Sequence, residues 1–488
     1  MNSFKKMLAV CGNSVSTSSA SPWGYTHGYQ GLGLINPKIT ITNDDLVCFG
    51  GYNAGAASIK KDGSDVNWSK EYTGPVITHS TYGNETPSFG NIKSYNRPLV
   101  VSSTKTIFEQ NGVWLWTSPS FLYFQFTVYK FINTGTGALT STKIIPQENS
   151  YQTTTSSIYV EVFGFCCDSS GNYMLSYESG NNAYLEGYNS SDVLQWTKKT
   201  SNKYDGLIPL VENIGTDTEV VCREDGENRF VKVNITTGAI SNYNGKRLSG
   251  NNTGTNTANQ GLERLGYDSS GNLSFVHSGV DESDGSTTPT KQHVWVRMSS
   301  TGTVVSAYGI AYLPSAQVDY MACMDSSNNL YFMHRDDSES TQTTSEYGPK
   351  IIKIASDGST VWERVITSDY TGSSNCTIYD INVSGDDSLF YVTCRIRHTS
   401  PVGYDYMILA LPTDGTATTF TAGSKTYYFK ALADGNSRFA VNSYSYTVSN
   451  DTGTATWSTA TSPGSYTAGI AASSDSNLSE SFTEFTVS

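Results

Sequence analysis

The chain has 488 residues, a net charge of −13, 15% charged side chains and no basic run, which excludes nucleic acid and anionic membrane surfaces as partners. No apolar stretch reaches the length of a membrane-spanning helix, so membrane insertion is not expected. Ser, Thr, Asn, Gly and Tyr dominate the polar residues, a balance common in β proteins exposed outside the cell.

Residues 1–37 read as an N-terminal arm rich in Gly, Ser and Tyr, with Tyr25-Thr26-His27-Gly28-Tyr29 at its centre. Lys5 and Lys6 precede Met7-Leu8-Ala9-Val10-Cys11, but that apolar run is too short for a secretory core. Val10 also stands where a lipoprotein signal wants a small residue, so an ordered arm is expected.

Residues 38–424 carry a repeat. Asp168-Ser169-Ser170-Gly171-Asn172 returns as Asp268-Ser269-Ser270-Gly271-Asn272 and as Asp325-Ser326-Ser327-Asn328-Asn329, each time ahead of apolar, β-prone residues. A second turn follows each copy, at Gly63, Gly137, Asp192, Gly238, Gly302, Gly358 and Gly415. The residues after the first turn, Leu46, Val113, Tyr173, Glu219, Leu273, Leu330 and Leu389, recur about every 57 residues. Units two and four depart from the pattern, with Gln110-Asn111-Gly112 and Thr216-Asp217-Thr218 at the first turn. Gly and Asn tolerate positive φ while Asp and Ser bond their own backbone, so both families are tight turns between strands.

Two turns per unit imply four strands, and the alternating segments Leu330-Tyr331-Phe332-Met333 and Lys350-Ile351-Ile352-Lys353-Ile354 have strand character. Such units cannot bury their own faces and must stack. The expected fold is all-β: a β-propeller of seven blades, each of four antiparallel strands. Asp434-Gly435-Asn436 and Asp451-Thr452-Gly453 echo the two turns at compressed spacing and leave room for an eighth blade. Residues 425–488 form a Ser/Thr-rich, strand-prone extension.

Both turn families should lie on one face, leaving the second-to-third-strand loops, 179–182, 279–291, 335–349 and 397–404, on the other. Those loops hold the candidate host-binding residues Asp281, Asp284, Arg335, Asp336, Asp337, Tyr347, His398 and Tyr404. Tyr347 and Tyr404 can stack on sugar rings while the polar groups bond hydroxyls.

The Asp-led turns lack the alternating oxygen ligands of a calcium loop. Asp281-Glu282-Ser283-Asp284-Gly285 comes near but has no distal Glu, so no metal is expected. Ser356-Asp357-Gly358-Ser359-Thr360-Val361-Trp362 fails the sialidase box because Asp stands directly against Gly. Trp68, Trp196 and Trp362 recur as outer-strand aromatics packed between blades. His277 and His334 occupy one repeat position, which repetition alone explains, and no catalytic triad, phosphate loop or cofactor motif is present. Cys166, Cys323 and Gly266 share a position that selects small volume, so free thiols formed in a reducing cytoplasm are expected.

Asp325 to Trp362 resembles bacterial and viral β-propeller repeats of the form Asp-x-x-Gly-Asn, strand, Lys-containing strand, Ser-x-Gly and Trp. Leu409-Ala410-Leu411-Pro412-Thr413-Asp414-Gly415-Thr416, followed by a Ser/Thr-rich end, resembles the last blade and tail of virion proteins from marine tailed bacteriophages. The resemblance implies a non-enzymatic tail or tail-fibre propeller, assembled in the host cytoplasm in multiple copies. It would contact other virion proteins through residues 1–37 or 425–488 and host surface glycans through its loops. The alternatives are a carbohydrate-active propeller enzyme, favoured by acid/base residues clustered at one end of the ring, and a secreted bacterial adhesin.

Overall fold

A computed structural model of the chain describes residues 21–28, 38–42, 45–49, 55–72, 77–79, 83–85, 97–116, 122–146, 162–179, 181–202, 205–224, 229–249, 262–281, 291–312, 320–334, 348–368, 376–399, 402–422, 425–432, 437–450, 457–462, 475–477, 482–484 and 486–487. The fold is all-β, built of antiparallel sheets, with no α-helix among the described residues.

The first sheet is Lys38–Ile41, Asp45–Phe49, Gly55–Lys60 and Val66–Tyr72. The second is Leu99–Ser102, Lys105–Trp116, Leu122–Ile132 and Leu139–Pro146. The third is Val162–Cys167, Tyr173–Ser179, Asn182–Tyr188 and Leu194–Thr200. The fourth is Leu207–Pro209, Glu219–Glu224, Arg229–Asn234 and Ile240–Ser249. The fifth is Leu262–Tyr267, Leu273–Asp281, Lys291–Met298 and Val304–Tyr312. The sixth is Tyr320–Met324, Leu330–His334, Lys350–Ile354 and Thr360–Ser368. The seventh takes Cys376–Val383, Leu389–Thr399 and Val402–Pro412, and its fourth strand is Trp23–Gly28 from the N-terminal arm.

That last pairing follows from side-chain pattern. Trp23 and Tyr25 alternate along the strand and are buried with Ile39, Ile59, Leu389 and Tyr391, between the seventh sheet and the first. Burying two aromatics and pairing a strand outweighs the entropy of ordering six residues of arm.

Apolar clusters fill the seams between successive sheets. Tyr72, Phe108 and Ile132 join the first and second sheets, and Tyr129, Phe131, Phe165 and Tyr173 the second and third. Trp295, Ile310, Tyr320 and Phe332 join the fifth and sixth, and Trp362, Phe390 and Phe429 reach across the sixth and seventh. The first strands of the first and seventh sheets also lie against one another.

The sequence repeats one seam device. An aromatic on a fourth strand lies over the glycine of the next sheet's second turn and hydrogen-bonds a turn carbonyl. Trp23 Nε1 donates to Lys61 O at 2.9 Å, Trp68 Nε1 to Thr134 O at 2.9 Å, Trp196 Nε1 to Ile235 O at 2.7 Å and Trp362 Nε1 to Thr413 O at 3.1 Å. A Cβ on Gly63, whose φ is +74°, would stand 2.3 Å from Cγ of Trp23, whereas one on Gly271, at φ +77°, meets nothing within 4 Å. Gly63→Ala is therefore expected to cost about 2–4 kcal/mol, from left-handed backbone plus a clash with a ring that cannot yield. Gly271→Ala should cost only the backbone share, about 1–2 kcal/mol. Urea midpoints of the two variants check the difference.

Three sequence expectations change. The turn of the second unit is not at Gln110-Asn111-Gly112. Those residues lie inside a strand, with Gln110 opposite Val128 and Gly112 opposite Phe126, and the reversal falls at Ser102–Lys105. There the Thr104 N–H donates to Ser102 Oγ at 3.2 Å, a hydroxyl turn that needs neither Gly nor Asn. Residues 397–404 are not a long loop but a hairpin tip, with His398 opposite Gly403 and Thr399 opposite Val402. Residues 23–28 of the arm belong to the seventh sheet. The echoes of an eighth unit at 434–436 and 451–453 lie outside the described residues.

The C-terminal segment is laid along the outer edges. Lys425–Lys430 pairs with Thr360–Ser368 of the sixth sheet, and Thr418–Ala422 pairs with Lys425–Lys430. Phe439–Ser443 then pairs with the fifth sheet, Thr447–Asn450 with the fourth, Ser458–Thr459 with the third and Asp475–Asn477 with the first. Phe482–Glu484 pairs with Trp23–Gly28, and Thr486–Val487 returns to Thr418–Ala422. These strands cover edges that would otherwise present unpaired N–H and C=O groups.

Candidate functional site

The first turns are closed units. Asp168 Oδ1 accepts the N–H groups of Ser170 and Asn172, both at 2.9 Å, and its Oδ2 accepts Asn172 Nδ2 at 2.8 Å. Asp268 repeats this with Ser270 and Asn272, and Asp325 with Asn329. Gly171 and Gly271 turn the chain at φ +81° and +77°. A cation from the third strand reaches two of these carboxylates: Arg297 lies 2.5 Å from Asp268, and Lys353 3.4 Å from Asp325. Burial pushes the Asp268 carboxyl up, but bonds from Asn272 and the Arg297 guanidinium outweigh it and hold the group below the usual range. The second turns at Gly302, Gly358 and Gly415 have φ of +74°, +86° and +76°. Three contacts bring second turns to the side of the first turns: Tyr173 Oη donates to Asp192 at 2.9 Å, Arg297 on Asp268 also donates to Ser356 O at 3.4 Å, and Tyr331 Oη lies 3.4 Å from Asp325 and 3.5 Å from Thr413 O. With their oxygens engaged in this way, the turns serve as scaffold.

The first strands converge on a polar core. Arg97, just ahead of Leu99–Ser102, forks onto Asp380, with Nη2 2.8 Å from Oδ1 and Nε 3.0 Å from Oδ2. Its Nη2 also reaches Glu263 Oε1 at 3.0 Å and the carbonyls of Ala322 and Ile381 at 3.1 Å. Asp380 further accepts the Ile39 N–H at 2.7 Å, and Arg264 donates to Pro209 O at 3.3 Å and stands 3.8 Å from Glu212. One guanidinium thus ties the second unit to the first strands of the fifth, sixth and seventh sheets. Burial opposes its charge, but Asp380 and Glu263 outweigh that and raise its affinity for the proton. Glu263 is pushed up by burial, with Arg97 opposing. Sequence reading missed this group. A charged residue amid Ile378-Tyr379-Asp380-Ile381 was the available signal, whereas Arg97 gives none.

A second cluster gathers His277 and His293 of the fifth sheet with His334 and Tyr320 of the sixth. His277 is 3% exposed, and its Nδ1 lies 2.9 Å from Oη of Tyr446 in the C-terminal segment. The His293 ring centroid is 4.2 Å from Tyr320, 5.2 Å from Phe332 and 6.3 Å from His334. Burial, with help from Arg223, depresses His277 to about 3. Burial, with His334 and His277, does the same for His293. Both rings are neutral at pH 7, and His277 Nε2 and His293 Nδ1 have no hydrogen-bond partner. Among the described residues no group of three or more His, Cys, Asp or Glu is arranged to hold a metal ion.

Of the expected host-binding residues, Asp284, Arg335, Asp336, Asp337 and Tyr347 lie outside the described residues. Asp281 pairs with Lys291 at the end of a fifth-sheet hairpin, and His398 and Tyr404 flank the seventh-sheet hairpin tip, opposite Gly403 and Arg397. Cys166, Cys167, Cys222 and Cys323 are buried free thiols, and Cys394 is buried as well.

No family model matches the chain, and no curated protein matches it. Among solved structures, it is similar to the polysaccharide lyase Uly1 with a TM-score of 0.36 and 7% identity, over 84% of this chain and 95% of that one. It is also similar to a mutant of Trypanosoma rangeli sialidase displaying trans-sialidase activity, with a TM-score of 0.28 and 11% identity, over 79% of this chain and 57% of that one. Likenesses of this size assign no activity.

Proposed function

We propose that the seven sheets are the blades of one closed propeller, and that it is a non-enzymatic component of a tailed-phage virion whose hairpin side meets the host surface. Closure is supported by the packing of the seventh sheet on the first through Trp23, Tyr25 and Ile39. The observation that carries the non-enzymatic reading is the state of the polar interior. Arg97 is matched by Asp380 and Glu263, and the histidines His277 and His293 are buried and neutral. The phage reading rests on the likeness of residues 409–416 and the Ser/Thr-rich end to virion proteins. Other virion chains would dock through residues 1–37 or 425–488. Several weak glycan contacts per particle would add through avidity.

The second reading, a carbohydrate-active enzyme, draws on the gathering of His277, His293, Tyr320 and Tyr446. Purified protein incubated with uronate-containing polysaccharides and sialosides should release neither unsaturated products nor new reducing ends. Combined replacement of loops 279–291, 335–349 and 397–404 should abolish its binding to host cells with little change in melting temperature. Glycan turnover that disappears in His277→Ala would establish the enzyme instead. Undiminished cell binding after the loop replacement would move the receptor role elsewhere.

A further inference from the structure

Resting on the closed ring proposed above, we propose that the C-terminal strands described between Thr418 and Val487 form a belt that closes last and holds the folded ring kinetically, a latch made from the chain's own C-terminal segment. The strands visit the sheets in the order six, five, four, three, one, seven and back to six, each antiparallel to the edge it covers. The last pairs, Phe420 with Val487 and Thr421 with Thr486, bring the end of the segment back to its own start.

Each of the seven sheets already has four strands without the segment, so the sheets do not need it to form. What it adds is closure. Aromatic keys enter the seams: Phe420, Tyr427 and Phe429 beside Trp362 and Phe390, Phe439 edge-on to Phe332 at 5.9 Å, and Tyr446 at 6.5 Å from Phe275. Backbone and side-chain bonds support the keys. Ser437 Oγ donates to Glu363 Oε2 at 2.6 Å, the Arg438 N–H to Glu363 Oε1 at 2.9 Å, and the Tyr444 N–H to Ala307 O at 3.0 Å.

These contacts join residues far apart in sequence and require the seams to exist first, which places them after the folding transition state. Interactions absent from that state slow unfolding without speeding folding. A protein exposed on a particle is protected by its unfolding rate, and the belt raises that barrier.

The test uses the full chain and follows unfolding and refolding in urea by tryptophan fluorescence. Phe439→Ala and Tyr446→Ala should unfold about 100-fold faster while refolding within about twofold of the parent. Val392→Ala, in the buried core of the seventh sheet, should slow refolding. If a belt variant fails to fold, the pair Thr421→Cys and Thr486→Cys joins the ends of the belt covalently, and its oxidised form should unfold at least tenfold more slowly than its reduced form. Belt variants that slow refolding as Val392→Ala does, or a cross-link that leaves unfolding unchanged, would overturn the latch.

Discussion

Asp380→Ala should lower stability by about 3–5 kcal/mol, more than any single change on the turn side, because it leaves a buried guanidinium without its main partner. The carboxylate is fully buried, holds Arg97 through both oxygens and accepts the Ile39 N–H, so its loss strands a cation and a backbone donor together. Glu263 at 3.0 Å is the remaining carboxylate partner of the guanidinium. Because the two residues act as a unit, Arg97→Ala combined with Asp380→Ala should cost clearly less than the sum of the single changes. A urea double-mutant cycle reads this coupling. Additive costs would show that Arg97 does not tie the second unit to the seventh sheet.

Acid should unfold the protein steeply, and the histidines between the fifth and sixth sheets set the window. An unfolded histidine takes up its proton near pH 6.5, whereas His277 and His293 in the fold do so only near 3. The unfolded state therefore binds more protons throughout that interval. Stability from these groups is complete above about pH 6.5 and is lost as pH falls toward 3. Two groups together give a slope of about 2.7 kcal/mol per pH unit in the middle of the window. Arg223 and Tyr446 face His277, while His334 and Tyr320 face His293, and no carboxylate is among these neighbours to retain a charged imidazole. Depressed carboxyls such as Asp268 and Asp386 act in a different range, losing their contribution only as pH falls below about 4. Urea titrations between pH 7 and 4.5 should show that His277→Gln and His293→Phe each remove about one proton from the slope. An unchanged slope in both variants would place acid sensitivity elsewhere.

The parts of this fold legible in the sequence are those whose cause is local. An Asp that binds the N–H groups two and four residues ahead writes itself as Asp-x-x-Gly-Asn, and a glycine beneath a tryptophan writes itself as Asp-Gly at 63 and 415 and as Thr-Gly at 137 and 238. The second unit was misplaced because Ser102–Lys105 turns through a serine hydroxyl, while the Asn-Gly pair at 111–112 runs on as strand. Trp23–Gly28 looked like arm because its partner, Val402–Pro412, is most of the chain length away. The belt was strand-prone by composition, but strands as short as Ser458–Thr459 do not specify in sequence which edge they cover. At the polar core, Asp380 is a charge among apolar residues, a signal the sequence reading passed over. Arg97, by contrast, shows its role only where three first strands meet.

An experimentally determined map of the intact chain tests the central claim most directly. It should show seven four-stranded sheets around one axis, the guanidinium of Arg97 between Asp380 and Glu263, and the C-terminal strands along the rim, with Thr486–Val487 against Thr418–Ala422. An open stack whose first and seventh sheets do not touch, or a C-terminal segment detached from the sheet edges, would contradict it.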